Sequence, residues 1–315
     1  MPSVRAAAGQ LLAATTGESG ESADWESWLR IRGLWEDAKG RHEMKIRYQR
    51  LKGVRFGLVP ESSQGSFLRE LLPWEDGFWY GQEAIGLVEE FEFRIPVRDP
   101  TPFCHKPIYY PPKARLWLKA YMESLERLGV VKKVDSLREK PPIFTCSVVL
   151  VAQGQSGQYF RACANVPDVT HRTDPPVHPL PTCQDDIDAI GNSTVFSALD
   201  IKAGFHNIPL EEGSKRYCGV ITQDGIWVYE RMAFGFLGAP ATFQAIVEDV
   251  IRRIPGGVQA EVYIDDIHPH GDAVPAVWRD TKKVVGALVG AGFLINLSKC
   301  WFLVADLVVL GYRLF

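Results

Sequence analysis

The sequence predicts an α+β fold, with sheet strands and helices packed on one face of the sheet. Three observations carry that prediction. Runs rich in β-branched and aromatic residues recur at short intervals from about residue 145 onward, and amphipathic helical periods stand between them. The 315 residues, 46% hydrophobic and 23% charged, suffice for one large or two modest cores.

In chain order, residues 1–20 are rich in Ala, Gly, Ser and Thr and are expected to be disordered. Residues 21–103 hold Trp25, Trp28, Trp35, Trp74 and Trp79 among mixed charges, without a recognisable motif; Trp25 to Arg50 reads as helical. Arg41 to Arg55 carries six bases against Glu43, for which an exposed helix face is a simpler reading than contact with a phosphate backbone. The proline-rich stretch Pro96 to Pro112 predicts an extended linker. Lys113 to Gly129 predicts an amphipathic helix with Leu116, Leu118, Tyr121, Met122, Leu125 and Leu128 on its apolar side.

Ser147 to Ala152 and Tyr159 to Ala164 predict a hairpin around a polar turn, Gly154 to Gly157. His178 to Pro181 is a kinked turn leading into a short helix, Cys183 to Ile190. A strand (Thr194 to Asp200), a turn and short helix (Lys202 to Asn207) and two strands (Cys218 to Thr222, Gly225 to Arg231) follow. Then come a helix (Ala239 to Arg253), a tight hairpin around Asp265–Asp266, and a helix (Val274 to Ala291). Strands near Phe302 and Leu310 end the sequence.

No stretch approaches ~20 uninterrupted apolar residues, so a membrane span is not expected, and Met1 to Thr16 is too weak for a signal peptide. Six cysteines stand singly, without a C-x-x-C pair, which argues against a zinc motif or disulfide framework and for a reducing, intracellular setting: cytoplasm first, a particle or the nucleus as alternatives. Net charge is −3, but residues 104–180 carry 11 Lys+Arg against 6 Asp+Glu, whereas residues 181–200 hold four Asp and no Lys or Arg. A basic flank beside an acidic focus suits phosphates plus metal, although such fluctuations are common on solvated faces.

Two segments carry the chemistry. Val195 to Leu199 is an apolar run that ends in the carboxylate of Asp200, and Val262-Tyr263-Ile264 runs into Asp265 and Asp266 before Ile267 resumes the apolar pattern. Neighbours in a straight strand point to opposite faces, so two successive Asp residues fit better at a hairpin tip. Were the Asp200 strand alongside, three carboxylates would share a small volume, and like charges so close repel unless cations lie between them. All-oxygen ligands select hard ions, of which Mg²⁺ is the usual one in phosphoryl transfer. An isolated Asp-Asp pair is more often a surface turn; its company decides here.

From about Ile108 to Leu314 the order of motifs resembles the polymerase domain of LTR retrotransposons, gypsy-like elements in particular, and more distantly of retroviruses. The blocks are Phe196-Ser197-Ala198-Leu199-Asp200 through His206, Phe234-Gly235-Phe236-Leu237-Gly238 through Gln244, the Y-x-D-D box Tyr263-Ile264-Asp265-Asp266, Asn296-Leu297-Ser298-Lys299-Cys300, and Leu310-Gly311-Tyr312. The resemblance implies the fingers and palm of a right-hand polymerase, a reverse transcriptase: fingers about 108–190, palm about 191–315, in a domain spanning 104–315. It implies an RNA-directed DNA polymerase that takes a primed RNA or DNA template and deoxynucleoside triphosphates, with two Mg²⁺ ions (Mn²⁺ as substitute) on Asp200 and Asp265 and with Asp266 assisting.

The remaining roles come from the same resemblance. Phe205 gates the incoming sugar against a 2′-hydroxyl, Arg161 clamps the triphosphate, and Lys299 meets the leaving pyrophosphate. Phe234, Gly235 and Gln244 shape the nucleotide pocket, while Tyr263, Leu310, Gly311 and Tyr312 position the primer. Several positions depart from the pattern. Gln153, Gln155 and Gln158 stand where lysines are usual, Asn165-Val166-Pro167 replaces an acidic-aromatic-basic run, and Ala233 replaces a proline. His268-Pro269-His270 interrupts an expected apolar strand. Little or no thumb is expected after the last block. A second reading is therefore a non-catalytic relic that binds RNA or a protein.

Overall fold

The computed structural model describes residues 51, 54–153, 159–175, 178–309 and 312–314. The expected disorder of residues 1–20, the helix from Trp25 to Arg50, the turn Gly154 to Gly157, and Leu310 and Gly311 lie outside the described residues.

The first elements are β1 (Arg55–Phe56), α1 (Glu61–Leu71), β2 (Phe78–Trp79), β3 (Phe103–Cys104), α2 (Pro112–Arg127) and β4 (Val131–Lys133). Next come β5 (Phe144–Gln153), β6 (Tyr159–Ala164), α3 (Pro167–His171), α4 (Cys183–Ile190), β7 (Val195–Asp200) and, after a 3-10 turn at Gly204–Asn207, α5 (Glu212–Lys215). Then follow β8 (Gly219–Thr222), β9 (Gly225–Tyr229), α6 (Ala239–Arg252), β10 (Ala260–Tyr263), β11 (Asp266–Gly271) and α7 (Val274–Gly290). The last are β12 (Ile295–Asn296), β13 (Trp301–Val304), β14 (Leu307–Val309) and β15 (Tyr312–Leu314).

These elements form two compact units. One takes the described parts of Met1–Gln82, Pro181–Lys202 and Val247–Phe315, and the other takes Glu83–Leu180 and Ala203–Ile246. The linear boundaries expected near residues 103 and 190 do not coincide with the edges of these units, because their strands pair across long sequence separations.

The first unit is built on a sheet of order β1-β13-β7-β11-β10, antiparallel except for β1 beside β13. β1 thus brings Arg55 to the sheet edge, far outside the blocks that carry the chemistry. α7 buries Val277, Thr281, Val284, Val285 and Leu288, the one-sided spacing of a core helix, and Thr281 donates to Ser197 Oγ on β7 at 3.0 Å. Side chains alternate along β7, so Ser197 faces α7 while Ala198 and Asp200 face away from it. α4 begins with a capping box: Thr182 Oγ1 accepts from the Asp185 amide, and the Asp185 carboxylate accepts from Thr182 N–H.

The second unit carries a sheet of order β3-β5-β8-β9-β4, with β6 paired to β5. The β5–β6 ladder runs from Val148 opposite Ala164 to Gln153 opposite Tyr159, the hairpin expected from sequence. α2 buries Leu118, Met122 and Leu125, but Leu116 is 67% exposed, contrary to its expected place on the apolar side. Two residues before Leu118 is about 200° around a helix, on the opposite face. The expected linker Pro96 to Pro112 is instead held in place. β3 pairs with Phe144 and Thr145, Val97 bridges to Thr173, and Tyr110 Oη accepts from Leu150 N–H and donates to Val148 O. Its prolines prevent helix formation without preventing edge pairing.

Candidate active site

The site grows from one register. β7 and β11 run antiparallel with Asp266 directly opposite Asp200 and Ile267 opposite Leu199. Directly opposed residues in such a pair have Cα atoms only about 4.5–5.5 Å apart. β10 pairs with β11 so that Tyr263 opposes Asp266, leaving Ile264 and Asp265 as a two-residue turn. The sequence expectation of both Asp residues at the tip is thereby refined: Asp265 is in the turn and Asp266 opens the strand. Ile264 has φ 53°, a left-handed conformation that costs a β-branched residue about 1–3 kcal/mol. The Ile201 amide donates to Asp265 O at 3.1 Å and ties this turn to the end of β7.

Three carboxylates so placed share one cation. Lys299 Nζ donates to Asp200 Oδ2 at 2.8 Å, and that bond, with the other carboxylates behind it, raises the Lys299 pKa above its ordinary value. Burial foremost, then Asp200 and Asp266, pushes the Asp265 carboxyl up to about 7. Burial and then Asp200 raise Asp266 as well, with Lys299 opposing. Asp200 Oδ1 and Asp265 Oδ1 are buried and accept no hydrogen bond. Such orphaned anionic oxygens are costly unless a cation or proton meets them. Among the described residues no three His, Cys, Asp or Glu side chains are gathered as a ready metal cage. The donors still suit a hard divalent ion: they are all oxygen, two are unpaired, and their mutual repulsion relaxes when such an ion binds.

Asp200, Asp266 and Lys299 line a cavity of about 750 Å³ together with Arg55, His268 and Trp301. Arg55 lies 4.0 Å over the Trp301 ring and donates to Ser298 O at 2.6 Å. Sequence reasoning did not place Arg55 or His268 in this site. For Arg55 the only signal was a basic run that reads equally well as a solvated helix face. For His268 it was the break in the apolar pattern after the Asp pair. Also in this unit, Lys202 Nζ sits 3.8 Å over the Trp79 ring.

The other expected site residues are distributed as follows. In the second unit Phe205 is 6% exposed and packs on Phe234 and Phe243 at ring-centre distances of 4.9 and 5.3 Å. Phe234 is partly exposed and Gln244 fully buried. Gly235 has φ 101°, and a Cβ there would stand 3.2 Å from Val166 Cγ2, so the bend admits glycine best. Arg161 is exposed on β6, opposite Val151. In the first unit Tyr263 ends β10, and Tyr312 is exposed on β15, paired with Val309 of β14.

Residues 158–314 match the family described as reverse transcriptase (RNA-dependent DNA polymerase). The Retrovirus-related Pol polyprotein from transposon opus of Drosophila melanogaster is 27% identical over 229 residues, covering 72% of this chain and 22% of that polyprotein. The Pol polyprotein from transposon 412 of the same fly is 30% identical over 135 residues, 43% of this chain and 11% of that one. The Tf2-3 polyprotein of Schizosaccharomyces pombe is 26% identical over 182 residues, 58% and 13% respectively. The chain therefore spans about a tenth to a quarter of these relatives.

Among solved structures, the foamy viral protease-reverse transcriptase in complex with RNA/DNA hybrid superposes with a TM-score of 0.73 at 18% identity, over 86% of this chain and 35% of that one. Its complex with double-stranded DNA gives 0.71 at 19% identity, over 86% and 45%. The α+β architecture of this chain is thus the fingers-and-palm fold of right-hand polymerases. With its ordered blocks, its matched residues 158–314 and its Pol relatives taken together, the chain belongs to the reverse transcriptase family, of the kind carried by retrotransposon Pol polyproteins.

Proposed function

We propose that this chain is an RNA-directed DNA polymerase that adds deoxynucleotides to a primer end by two-metal phosphoryl transfer. The observation that carries the reading is the in-register meeting of Asp200 and Asp266 beside the Asp265 turn. Asp200 and Asp265 would hold the two magnesium ions, with Asp266 assisting and Mn²⁺ as substitute. Bound there, the ions supply the charge that favours an attacking 3′-oxygen and stabilises a leaving pyrophosphate.

The chain's own groups do the rest. Lys299 stays protonated at neutral pH and offers its ammonium to phosphate oxygens once Asp200 is otherwise satisfied. Arg55 is held by the Trp301 ring and the Ser298 carbonyl, and it adds a second positive charge to the same cavity. Arg161 clamps the triphosphate, and Phe205 screens the sugar. Phe234, Gly235 and Gln244 line the base, and Tyr263 with the segment ending at Tyr312 aligns the primer. The partners are a primed RNA or DNA template and deoxynucleoside triphosphates. The foamy viral neighbours bound to RNA/DNA hybrid and to double-stranded DNA support the nucleic-acid part.

The test is extension of a DNA primer on an RNA template by the full chain with Mg²⁺. Template-directed incorporation is expected. A folded chain that binds the primed template and incorporates nothing under Mg²⁺ or Mn²⁺ would defeat the reading.

A further inference from the structure

The Lys299 side chain is 65% exposed, yet its ammonium stands 2.8 Å from Asp200 Oδ2. An exposed lysine has many rotamers to choose from, so it keeps one direction best when its backbone is fixed. The peptide joining Ser298 to Lys299 is held at both of its polar ends. Its N–H, on Lys299, donates to Asn296 O at 3.0 Å within the local turn. Its C=O, on Ser298, accepts from the Arg55 guanidinium at 2.6 Å, across 243 positions of sequence. A peptide is planar, so the two bonds together hold it against rotation and fix the direction in which the Lys299 side chain leaves the main chain. The same guanidinium lies 4.0 Å over the Trp301 ring, so Arg55 grips the chain on both sides of Lys299.

Arg55 is itself anchored by its strand. β1 runs parallel to β13, with Arg55 opposite Trp301 and Phe56 opposite Phe302. Beyond them the Gly57 and Leu58 amides donate to Phe302 O and Leu303 O at 3.2 and 2.7 Å. Phe56 packs among Phe67, Trp278 and Phe302. A Cβ on residue 57 would stand only 3.0 Å from Val304 Cα, so this close approach of two backbones needs glycine.

We propose that Arg55 is a positioning residue for Lys299: through the Ser298 carbonyl and the Trp301 ring it aims the Lys299 ammonium into the acidic cavity. That role rests on the polymerase reading of the site, in which Lys299 meets the leaving pyrophosphate. Local bonds shape the turn, with Ser298 Oγ donating to Asn296 Oδ1 at 2.7 Å and Cys300 N–H to Leu297 O at 3.3 Å. Arg55 supplies the bond to the Ser298 carbonyl, from a strand outside the turn. Once Asp200 is otherwise satisfied, its carboxylate no longer holds the ammonium, and the fixed backbone is what keeps Lys299 directed at the cavity. Preorganisation of this kind acts on turnover rather than on binding.

The experiment uses the full chain and reads Arg55→Ala in two ways. The first needs no activity: limited acylation by an N-hydroxysuccinimide ester, followed by peptide mass spectrometry. Freed from its pairing with Asp200, Lys299 should be acylated about threefold faster or more in the variant, while the exposed reference Lys113 is unchanged. The second is single-nucleotide incorporation by wild type, Arg55→Ala, Lys299→Ala and the double variant. Arg55→Ala should lower kcat about tenfold, with KM for deoxynucleotides and template affinity within about threefold. In the Lys299→Ala background the same change should cost less than about twofold, because the group it positions is already gone. Arg55→Lys, which keeps the charge without the planar fork, should restore only part of the loss. If Arg55→Ala does not fold, Arg55→Met, which keeps an unbranched apolar stem, takes its place. Unchanged acylation of Lys299, a loss of turnover that persists in full without Lys299, or a loss confined to template affinity would overturn the role. A wild-type chain that incorporates nothing would defeat the polymerase reading instead, and the acylation would still decide whether Arg55 holds Lys299.

Discussion

The β10–β11 and β5–β6 hairpins are both well-formed antiparallel ladders, and they are charged in opposite ways. Residues 260–271 hold Glu261, Asp265, Asp266, His268 and His270, whereas residues 144–164 hold a single charged residue, Arg161. In the proposed enzyme the first hairpin handles metal and chemistry, and the second handles the triphosphate. The two hairpins are thus unequally charged: the first carries two of the three proposed metal ligands, Asp265 and Asp266, and the second carries the single cation Arg161. Substitutions in one hairpin should strike turnover, and in the other nucleotide affinity.

The largest effect is expected at the acidic end. Asp200→Asn removes a charge worth several kcal/mol to the transition state, so incorporation should fall about 1,000-fold. Binding of primed template, followed by fluorescence anisotropy, should stay within about threefold. Equal losses in binding and turnover would erase the distinction between the hairpins.

Next comes Arg161→Ala. Losing the one bidentate clamp should raise KM for deoxynucleotides about tenfold, with kcat nearly unchanged, and Arg161→Lys should restore only part of it. A fall in kcat alone would move Arg161 out of that role. Smaller still is Phe205→Val, expected to raise ribonucleotide use several-fold relative to deoxynucleotide. Because Phe205 is only 6% exposed and packs on Phe234 and Phe243, unchanged selectivity with lowered stability would assign it to packing alone.

The smallest effect concerns pH and Asp186. Its folded carboxyl titrates at about 6 and its ordinary value is 3.8, so the native state keeps a proton that the unfolded chain has released between those values. That contribution to stability is complete below about pH 4 and is lost as pH rises through 6. Asp186→Asn should therefore raise the melting temperature by a few degrees at pH 8 and leave it unchanged near pH 4. A loss of stability at pH 8 would contradict the assignment of burial as the dominant cause.

Much of this was legible in the sequence because periodicity and pairing residues are local signals. α4 occupies Cys183–Ile190, the short helix expected after the turn at His178 to Pro181, and β7 ends on Asp200 as its apolar run predicts. The acidic end was legible too, since five ordered blocks name its residues. What escaped depends on partners distant in sequence. Arg55 reaches the cavity only because β1 joins β13, and β3 pairs with β5 out of a stretch whose prolines advertise a linker. Leu116 misled because an apolar residue near a helix N-terminus need not fall on the buried face. The imidazoles on β11 registered only as a departure from an apolar pattern, because the burial of His268 and His270 depends on elements distant in sequence.

Whether the three acids perform phosphoryl transfer is decided by single-turnover primer extension on RNA, comparing the wild-type chain with Asp265→Asn after folding and template binding are verified for both. Mg²⁺-dependent incorporation is expected from the wild type, with a loss of at least about 100-fold in the variant at unchanged template affinity. Equal extension rates for the two proteins would contradict the metal-binding role of these carboxylates.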